Sequence, residues 1–135
     1  MNRRLILALS LAPALLGGAA LANEPAKEDR KKGGGTSFLQ IQTLTATVTR
    51  MGGRRGVLTV DCGLDIADEK LREKATLSVP RLRARMIQSL AMYGAGLPAA
   101  RAPDADYIAG LLQRDANALL GSTGAKLLLG AILIN

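Results

Sequence analysis

Few side chains in this sequence could carry out catalysis. Histidine is absent, which removes the commonest general base, the Ser-His-Asp and Cys-His catalytic arrangements and most zinc sites. Ser37 and Ser122 have no base partner that the sequence identifies. We therefore expect no catalytic residue, no metal site and no cofactor, and a protein that is not an enzyme.

Four carboxylates lie close together in the sequence, at Asp61, Asp65, Asp68 and Glu69. They could gather at the end of a strand and hold a divalent cation, although their spacing is not that of a calcium-binding loop. Asp68 and Glu69 also stand where a helix is predicted to begin, and the helix dipole favours acidic side chains there. Helix capping is our preferred interpretation of these two residues, with a cation site as the alternative.

Arginines are the other residues that could bind a ligand. Arg54 and Arg55 fall in a glycine-rich hairpin loop, and loops commonly contact partners. Arg81 and Arg85 share one face of a predicted helix, where they repel each other unless an acidic group compensates. We predict that these four arginines are interaction residues. The alternative is a solvated basic face whose long side chains cover the core.

The N-terminus has the pattern of an export signal. Arg3 and Arg4 precede the apolar stretch at residues 5–16, and Ala20 and Ala22 occupy the small-residue positions that a signal peptidase recognises. We expect cleavage after Ala22 and a periplasmic protein, with retention as an inner-membrane anchor as the alternative. The paired arginines fit a twin-arginine signal, but ordinary signals carry them too.

Charge and cysteine content narrow the choice of partners. Loss of residues 1–22 lowers the formal net charge from +7 to +5, which favours anionic lipids, acidic proteins or envelope polymers. Nucleic acid is not expected, because three aromatic residues offer little surface for stacking bases. Cys62 is the only cysteine, so no intramolecular disulfide can form, and its place on an apolar strand face predicts a buried, inert thiol.

The elements that position these side chains begin after a predicted flexible linker at residues 23–37, which mixes charges with glycines. Residues 38–50 and 57–66 alternate apolar and polar side chains, which predicts two strands joined by a hairpin loop at residues 51–56. The alternation changes phase near residues 42–43, which predicts a bulge.

Two helices and a third strand follow. A 3.6-residue apolar period predicts helices at residues 67–93, with a kink or restart at Pro80, and at residues 104–120. The unbroken apolar run at residues 125–134 predicts a strand that neighbours cover, inside the sheet. We therefore predict one α+β domain at residues 38–135, with a small antiparallel or mixed sheet and both helices on one face.

In this order of elements, residues 38–135 resemble the periplasmic domain of the flagellar basal-body-associated FliL family. The similar stretches are the strand pair at residues 44–48 and 56–64, the proline-containing helix at residues 79–90, the second helix with Asn117, and the closing strand at residues 127–135. The resemblance implies a stomatin-like fold and a non-enzymatic role, since members of that family surround the stator units of the flagellar motor. The export signal departs from the family, which keeps a transmembrane anchor.

Two functional hypotheses follow. The first is a periplasmic, FliL-like interaction protein that associates with itself, with the flagellar stator or basal body, or with another inner-membrane complex. The second is a binding module for anionic lipid or a cell-envelope polymer, unrelated to motility. The first predicts a motility defect when the protein is deleted, and the second predicts binding that weakens steeply with salt.

Overall fold

The structure is a computed structural model, and it describes residues 35–135. These residues form a three-stranded antiparallel sheet and two helices. The elements in chain order are β1 (Phe38–Thr49), β2 (Arg55–Ile66), α1 (Glu69–Gly96), α2 (Ala105–Leu120) and β3 (Ala125–Ile134). The strands lie in the order β1-β2-β3, so the predicted α+β class is confirmed. The predicted export signal, with Ala20 and Ala22, and the predicted linker as far as residue 34 lie outside the described residues.

The hairpin between β1 and β2 turns on two glycines. A short 3-10 turn at Met51–Gly53 joins the strands, and Gly52 and Gly53 have φ angles of 80° and 75°. These angles lie in the left-handed region, where a side chain would be strained. Arg55 pairs with Thr49 in the ladder, so β2 begins two residues earlier than predicted and the loop is shorter.

The predicted bulge in β1 is confirmed. The register of β1 against β2 shifts between Ile41 and Leu44, and both of these side chains are fully buried. A second irregularity lies between β2 and β3, where Leu129 and Ile132 flank it and both still pack against the core. Because a strand alternates its side chains between faces, each bulge returns the apolar residues after it to the helix side of the sheet.

Both helices cover the same face of the sheet, α1 mainly over β1 and α2 over β3. The buried positions of α1 recur every three or four residues, at Ala75, Ser78, Leu82, Met86, Leu90 and Gly94. Gly94 lets the helix approach the strand closely, because a Cβ there would lie 2.9 Å from the Thr47 carbonyl oxygen. Neither helix combines the length and the apolar composition that a membrane span needs.

An aspartate begins each helix. Asp68 Oδ2 accepts a hydrogen bond from the Leu71 backbone N–H at 3.1 Å, and Asp104 Oδ1 accepts one from the Tyr107 N–H at the same distance. Each carboxylate satisfies a backbone donor that the first helical turn leaves free. Capping is therefore the observed role of Asp68, as the preferred interpretation predicted.

Of the kink or restart predicted at Pro80, the restart is wrong, whereas the kink stays a prediction. α1 is one helix of 28 residues and ends at Gly96, three residues later than predicted. Pro80 is exposed, so its ring points away from the sheet, although it still removes one backbone donor. Ser78 and Leu82, the buried positions on both sides of Pro80, pack on the same sheet, and the helix continues through Pro80 without a break.

The predicted place of the third strand inside the sheet is also wrong. β3 lies at the edge of the sheet and pairs only with β2 among the described strands. Its burial alternates, with Ala125 and Leu127 buried and Leu128 and Leu133 exposed. The sequence looked uniformly apolar because leucines occupy the open face of the sheet as well as the helix face.

Ser37 fastens the start of β1 to the end of β2. Its Oγ donates to Asp65 Oδ1 at 2.7 Å, and its carbonyl oxygen accepts from the Ile66 N–H at 2.9 Å. The strands, the helices and the core that the structure describes lie between this residue and Ile134. A chain that begins at residue 23 therefore keeps every described element of the fold.

The only phenylalanine lies across a glycine. A Cβ added to Gly63 would overlap the ring of Phe38 and would come within 3.0 Å of the Leu39 carbonyl oxygen. Gly63 is buried and pairs with Gln40 across the ladder. The ring thus covers β2 backbone that has no side chain of its own, an arrangement that compensates for glycine in a strand.

We expect Gly63→Ala to lower the free energy of unfolding by about 1–3 kcal/mol, because the added methyl group displaces the Phe38 ring. Urea denaturation measures the change. In a Phe38→Ala background the same substitution should cost less. As a control, Gly110→Ala adds a methyl group into open space on α2 and should stabilise by about 0.5–1 kcal/mol. Equal losses with and without Phe38 would contradict this role of the ring.

Candidate interaction surfaces

The hairpin brings three arginines together. The antiparallel ladder carries Arg50 to the same end of the sheet as Arg54 and Arg55, and the Arg50 N–H donates to the Arg54 carbonyl oxygen at 2.6 Å. The aliphatic part of Arg50 runs over Gly56, where a Cβ would lie 2.6 Å from Arg50 Cδ. Because Gly56 has no side chain, the aliphatic part of Arg50 has room to lie against the backbone of β2.

The connection between the helices adds a fourth arginine, Arg101. Three contacts hold this connection: the Arg101 N–H donates to the Pro98 carbonyl at 3.0 Å, the Asp104 N–H donates to Tyr93 Oη at 2.8 Å, and the Tyr93 ring stacks on Tyr107 at 5.4 Å between centroids. Two of the three aromatic residues in the chain thus fix the loop that carries Arg101.

Arg50, Arg54, Arg55 and Arg101 line one cleft of about 550 Å³, which we call the arginine cleft. Residues 35–135 contain eight aspartates and glutamates, and none of these lies in the lining or within 4 Å of the four guanidinium groups. Guanidinium groups donate paired hydrogen bonds to phosphates and carboxylates. This arrangement can bind an anionic group.

Arg81 and Arg85 do not belong to the arginine cleft. Arg81 is exposed on α1, whereas Arg85 Nε pairs with Asp115 Oδ1 of α2 at 3.1 Å. Asp115 is only 6% exposed, and its Oδ2 has no hydrogen-bond partner within residues 35–135. Loss of Arg85 would leave a buried carboxylate without a counter-charge. Arg85 therefore joins the helices, and the predicted group of four interaction arginines is divided between two places.

The outer edge of β3 is partly capped by one glutamine. Gln113 of α2 donates through Nε2 to the Ala125 carbonyl at 2.7 Å and accepts through Oε1 from the Leu127 N–H at 2.7 Å. Its amide thus makes the two hydrogen bonds that a neighbouring strand would make. The same Nε2 lies 2.9 Å from Asn117 Oδ1, which orients the amide.

Beyond Leu127 the edge of β3 is open. Backbone groups in an antiparallel strand alternate between the two sides, and both Asn135 groups pair with Val57 of β2. The N–H and C=O groups of Leu129, Ile132 and Ile134 therefore point outward, where no strand among residues 35–135 meets them. We call Leu129 to Ile134 the β3 edge. It contains no charged residue.

Apolar side chains accompany the β3 edge on the open face of the sheet. Leu133 is 54% exposed, and Leu128 and Val57 are exposed as well. On the opposite edge, the open-face positions of β1 that lie across from Thr59 and Val57 are polar, with Thr45 and Thr47 exposed. Proteins usually protect free edges with charges, prolines or bulges, and here only the bulge near Gly130 does so. The two edges are therefore chemically different.

Three of the four carboxylates considered for a cation site are occupied by local contacts, and the fourth, Glu69, lies in the first turn of α1. Thr43 Oγ1 donates to Asp61 Oδ1 at 2.7 Å beside the bulge in β1, and Asp65 accepts from Ser37. Asp68 caps α1. In the part of the chain that the structure describes, no three Cys, Asp or Glu side chains come close enough to share a metal ion.

Each serine that we considered makes a local hydrogen bond. Ser37 Oγ donates to a carboxylate, and Ser122 Oγ accepts from the Gly124 N–H at 3.1 Å within its own turn. Neither hydroxyl is hydrogen-bonded to a lysine in the described residues. Both contacts stabilise the ends of strands.

Cys62 lies on the helix side of β2 and is 4% exposed, as its alternation predicted. Burial raises the pKa of its thiol from 9.0 to about 11, and the nearby charge of Asp61 adds to the effect. Because the thiolate is the reactive form, the thiol is protonated and inert at neutral pH.

Sequence reasoning missed Arg50, Arg101 and Gln113. Arg50 could have been included, because a hairpin that places Arg54 and Arg55 at its turn must carry the residue at the end of β1 beside them. Arg101 and Gln113 gave no such signal, since their roles depend on how α1 and α2 lie against the sheet.

Comparison with known proteins adds no relative. No model of a known protein family matches the chain, and no curated protein matches it. The resemblance to the FliL family therefore stays a prediction, and the surfaces described above are the basis for any function.

We expect Cys62 to react with iodoacetamide at pH 8 at least about 100-fold more slowly in the folded chain than in urea, since a rise of about two pKa units lowers the thiolate fraction by that factor. The control is Leu77→Cys in a Cys62→Ala background, because Leu77 is 85% exposed. That thiol should react at similar rates in both solvents. Similar rates for the two folded variants would contradict the burial of Cys62.

Proposed function

We propose that this chain is an exported, non-enzymatic interaction protein that binds an extended segment of a protein partner along the β3 edge. The observation that carries the proposal is an uncharged strand edge whose outward N–H and C=O groups meet no strand among residues 35–135. Unpaired groups of this kind are a ready template for an added strand. The pattern of residues 1–22 supports a periplasmic setting.

The chemistry of the β3 edge indicates which kind of partner segment it would bind. Hydrogen bonds from Leu129, Ile132 and Ile134 supply affinity without regard to the partner's sequence. Leu133 and Leu128 favour apolar side chains at alternate positions of the added strand, on the open face. A charged side chain directly beside them would lose its solvation with no opposite charge nearby. The partner segment is therefore short, extended, apolar at alternate positions and uncharged at its centre.

The order of elements supports a FliL-like module. Two strands, two helices and a closing strand follow one another along residues 38–134 in the order on which the resemblance rests. On this proposal the partner belongs to the flagellar stator or basal body, or to another complex of the inner membrane. The absence of histidine supports action by contact rather than by turnover.

We expect Leu133→Lys to abolish partner binding without unfolding the domain, because the side chain is more than half exposed and a lysine beside an edge blocks strand addition. Cross-linking in intact cells, with wild type and variants compared, measures the loss of the adduct. The control is Leu77→Lys, the same change on an exposed side of α1, which should keep the adduct. An adduct that survives both changes would remove the β3 edge from the proposal.

The mass of the adduct identifies the occupant. A product of twice the mass of the chain, together with a dimer of the purified protein in sedimentation velocity, indicates a second copy. A heavier or lighter product indicates a different protein, which mass spectrometry identifies.

The flagellar version makes a separate prediction. Deletion of the protein should reduce swimming or swarming, and expression of wild type or Leu77→Lys should restore it, whereas Leu133→Lys should not. Soft-agar expansion measures the effect, with growth rate as the control. Normal motility in the deletion strain would exclude the motor role and leave the edge-binding role to be judged by its own cross-linking result.

A further inference from the structure

The arginine cleft lies at the end of the molecule that also exposes isolated apolar side chains. Met51, at the tip of the hairpin, lines the cleft and is 73% exposed. The neighbouring depression shares Arg101 with the cleft, and its lining includes Met92 and Tyr107, both also exposed. Of the seven large exposed apolar or aromatic residues in residues 35–135, Met51 therefore lies in the arginine cleft, and Met92 and Tyr107 lie beside Arg101.

Charge is concentrated at this end. Residues 35–135 contain twelve lysines and arginines, and a third of them line the arginine cleft, whose lining contains no acidic residue. One acidic side chain in the surrounding surface is Asp104, which lines the neighbouring depression together with Arg101. A guanidinium that has no local carboxylate keeps its charge and its paired donors available for a phosphate. The backbone hydrogen bond from Arg101 to Pro98 fixes the loop from which Arg101 extends before any ligand binds, which lowers the entropy cost of ordering that loop on binding.

Arginines mixed with exposed methionine and tyrosine side chains fit a membrane surface better than a soluble anion. The guanidinium groups of a protein bound to a bilayer lie at the depth of the lipid phosphates, and the boundary of the acyl chains begins just below the phosphates. Apolar side chains beside the cleft can enter that boundary. A soluble polyanion would use the arginines and gain nothing from Met51.

We propose that the hairpin end of this protein binds the surface of an anionic phospholipid bilayer, with lipid phosphates in the arginine cleft and Met51 in the interface. All three strands have one end here, at Thr49, Arg55 and Ile134. In this orientation the strands run away from the membrane surface, and the β3 edge is exposed alongside the membrane, where it can contact a membrane protein. This inference concerns the arginine cleft, which shares only Ile134 with the β3 edge of the proposed function, and it is tested independently of that function.

The test uses the chain from residue 23 onward, which lacks the apolar N-terminal segment and keeps the whole fold. Its partition coefficient is measured by sedimentation with vesicles of phosphatidylcholine, with and without phosphatidylglycerol. We expect binding only when phosphatidylglycerol is present. Arg54→Gln with Arg101→Gln should weaken it at least about 20-fold, because each basic residue near an anionic surface contributes about five-fold.

The matched control is Arg81→Gln with Arg114→Gln, which removes the same charge from exposed positions on α1 and α2. Its loss should be at most about two-fold, since charges far from the surface are screened. At raised salt, where the contribution of charge is smaller, Met51→Ser should bind the vesicles more weakly than wild type, whereas Leu77→Ser should bind like wild type. Unchanged circular dichroism and urea midpoints confirm that all variants fold.

Three results would overturn the proposal. One is an equal loss in the two double variants, which would indicate net charge alone. Another is equal binding to vesicles with and without phosphatidylglycerol. The third is binding to inorganic polyphosphate through Arg54 and Arg101 with no binding to vesicles, which would assign the cleft to a soluble polyanion.

Discussion

The whole structure depends on one apolar layer, since two helices cover one face of a three-stranded sheet and leave the other face open. Every residue with a fully buried large side chain, from Ile41 to Leu120, faces this layer. A single layer demands that each strand present its apolar side chains to the helices over its full length. The bulges of β1 and β3 meet that demand, because without them half of each strand would turn its leucines and isoleucines to the open face.

The same constraint creates the surfaces that can act. α2 contacts only the first part of β3. There the side-chain amide of Gln113 makes the two hydrogen bonds that a neighbouring strand would make. Past that point residues 35–135 provide no further element that covers the backbone. At the end of the sheet, the connection between the helices returns beside the hairpin and brings Arg101 to the other arginines. The open edge and the arginine cleft are thus both consequences of a small fold with few elements.

The parts of the fold that depend on local pattern could be predicted from the sequence. Alternation in β1 and β2 defined the strands and even the bulge near residue 42, and helix-capping aspartates marked both helix starts. The position of β3 could not be read in the same way, because Leu128 and Leu133 on the open face hide its alternation. Only part of the arginine cleft could be predicted. Arg54 and Arg55 are adjacent in sequence, whereas Arg101 joins them only through the packing of α1. Arg85 looked like a surface residue because its partner Asp115 is 30 residues away.

The separation of charge from the β3 edge shows how one small domain can make two kinds of contact. Anionic surfaces attract the protein over distances of roughly a Debye length, about 8–10 Å at physiological salt, so the arginine cleft can orient the molecule before close contact. Strand addition acts only at hydrogen-bond distance and would be hindered by like charges along the edge. Four arginines lie at one end of the sheet, and residues 129–134 of the β3 edge carry no charge, although Ile134 also lines the arginine cleft. Orientation by charge and recognition by backbone hydrogen bonds therefore use largely separate parts of one molecule, which meet at Ile134.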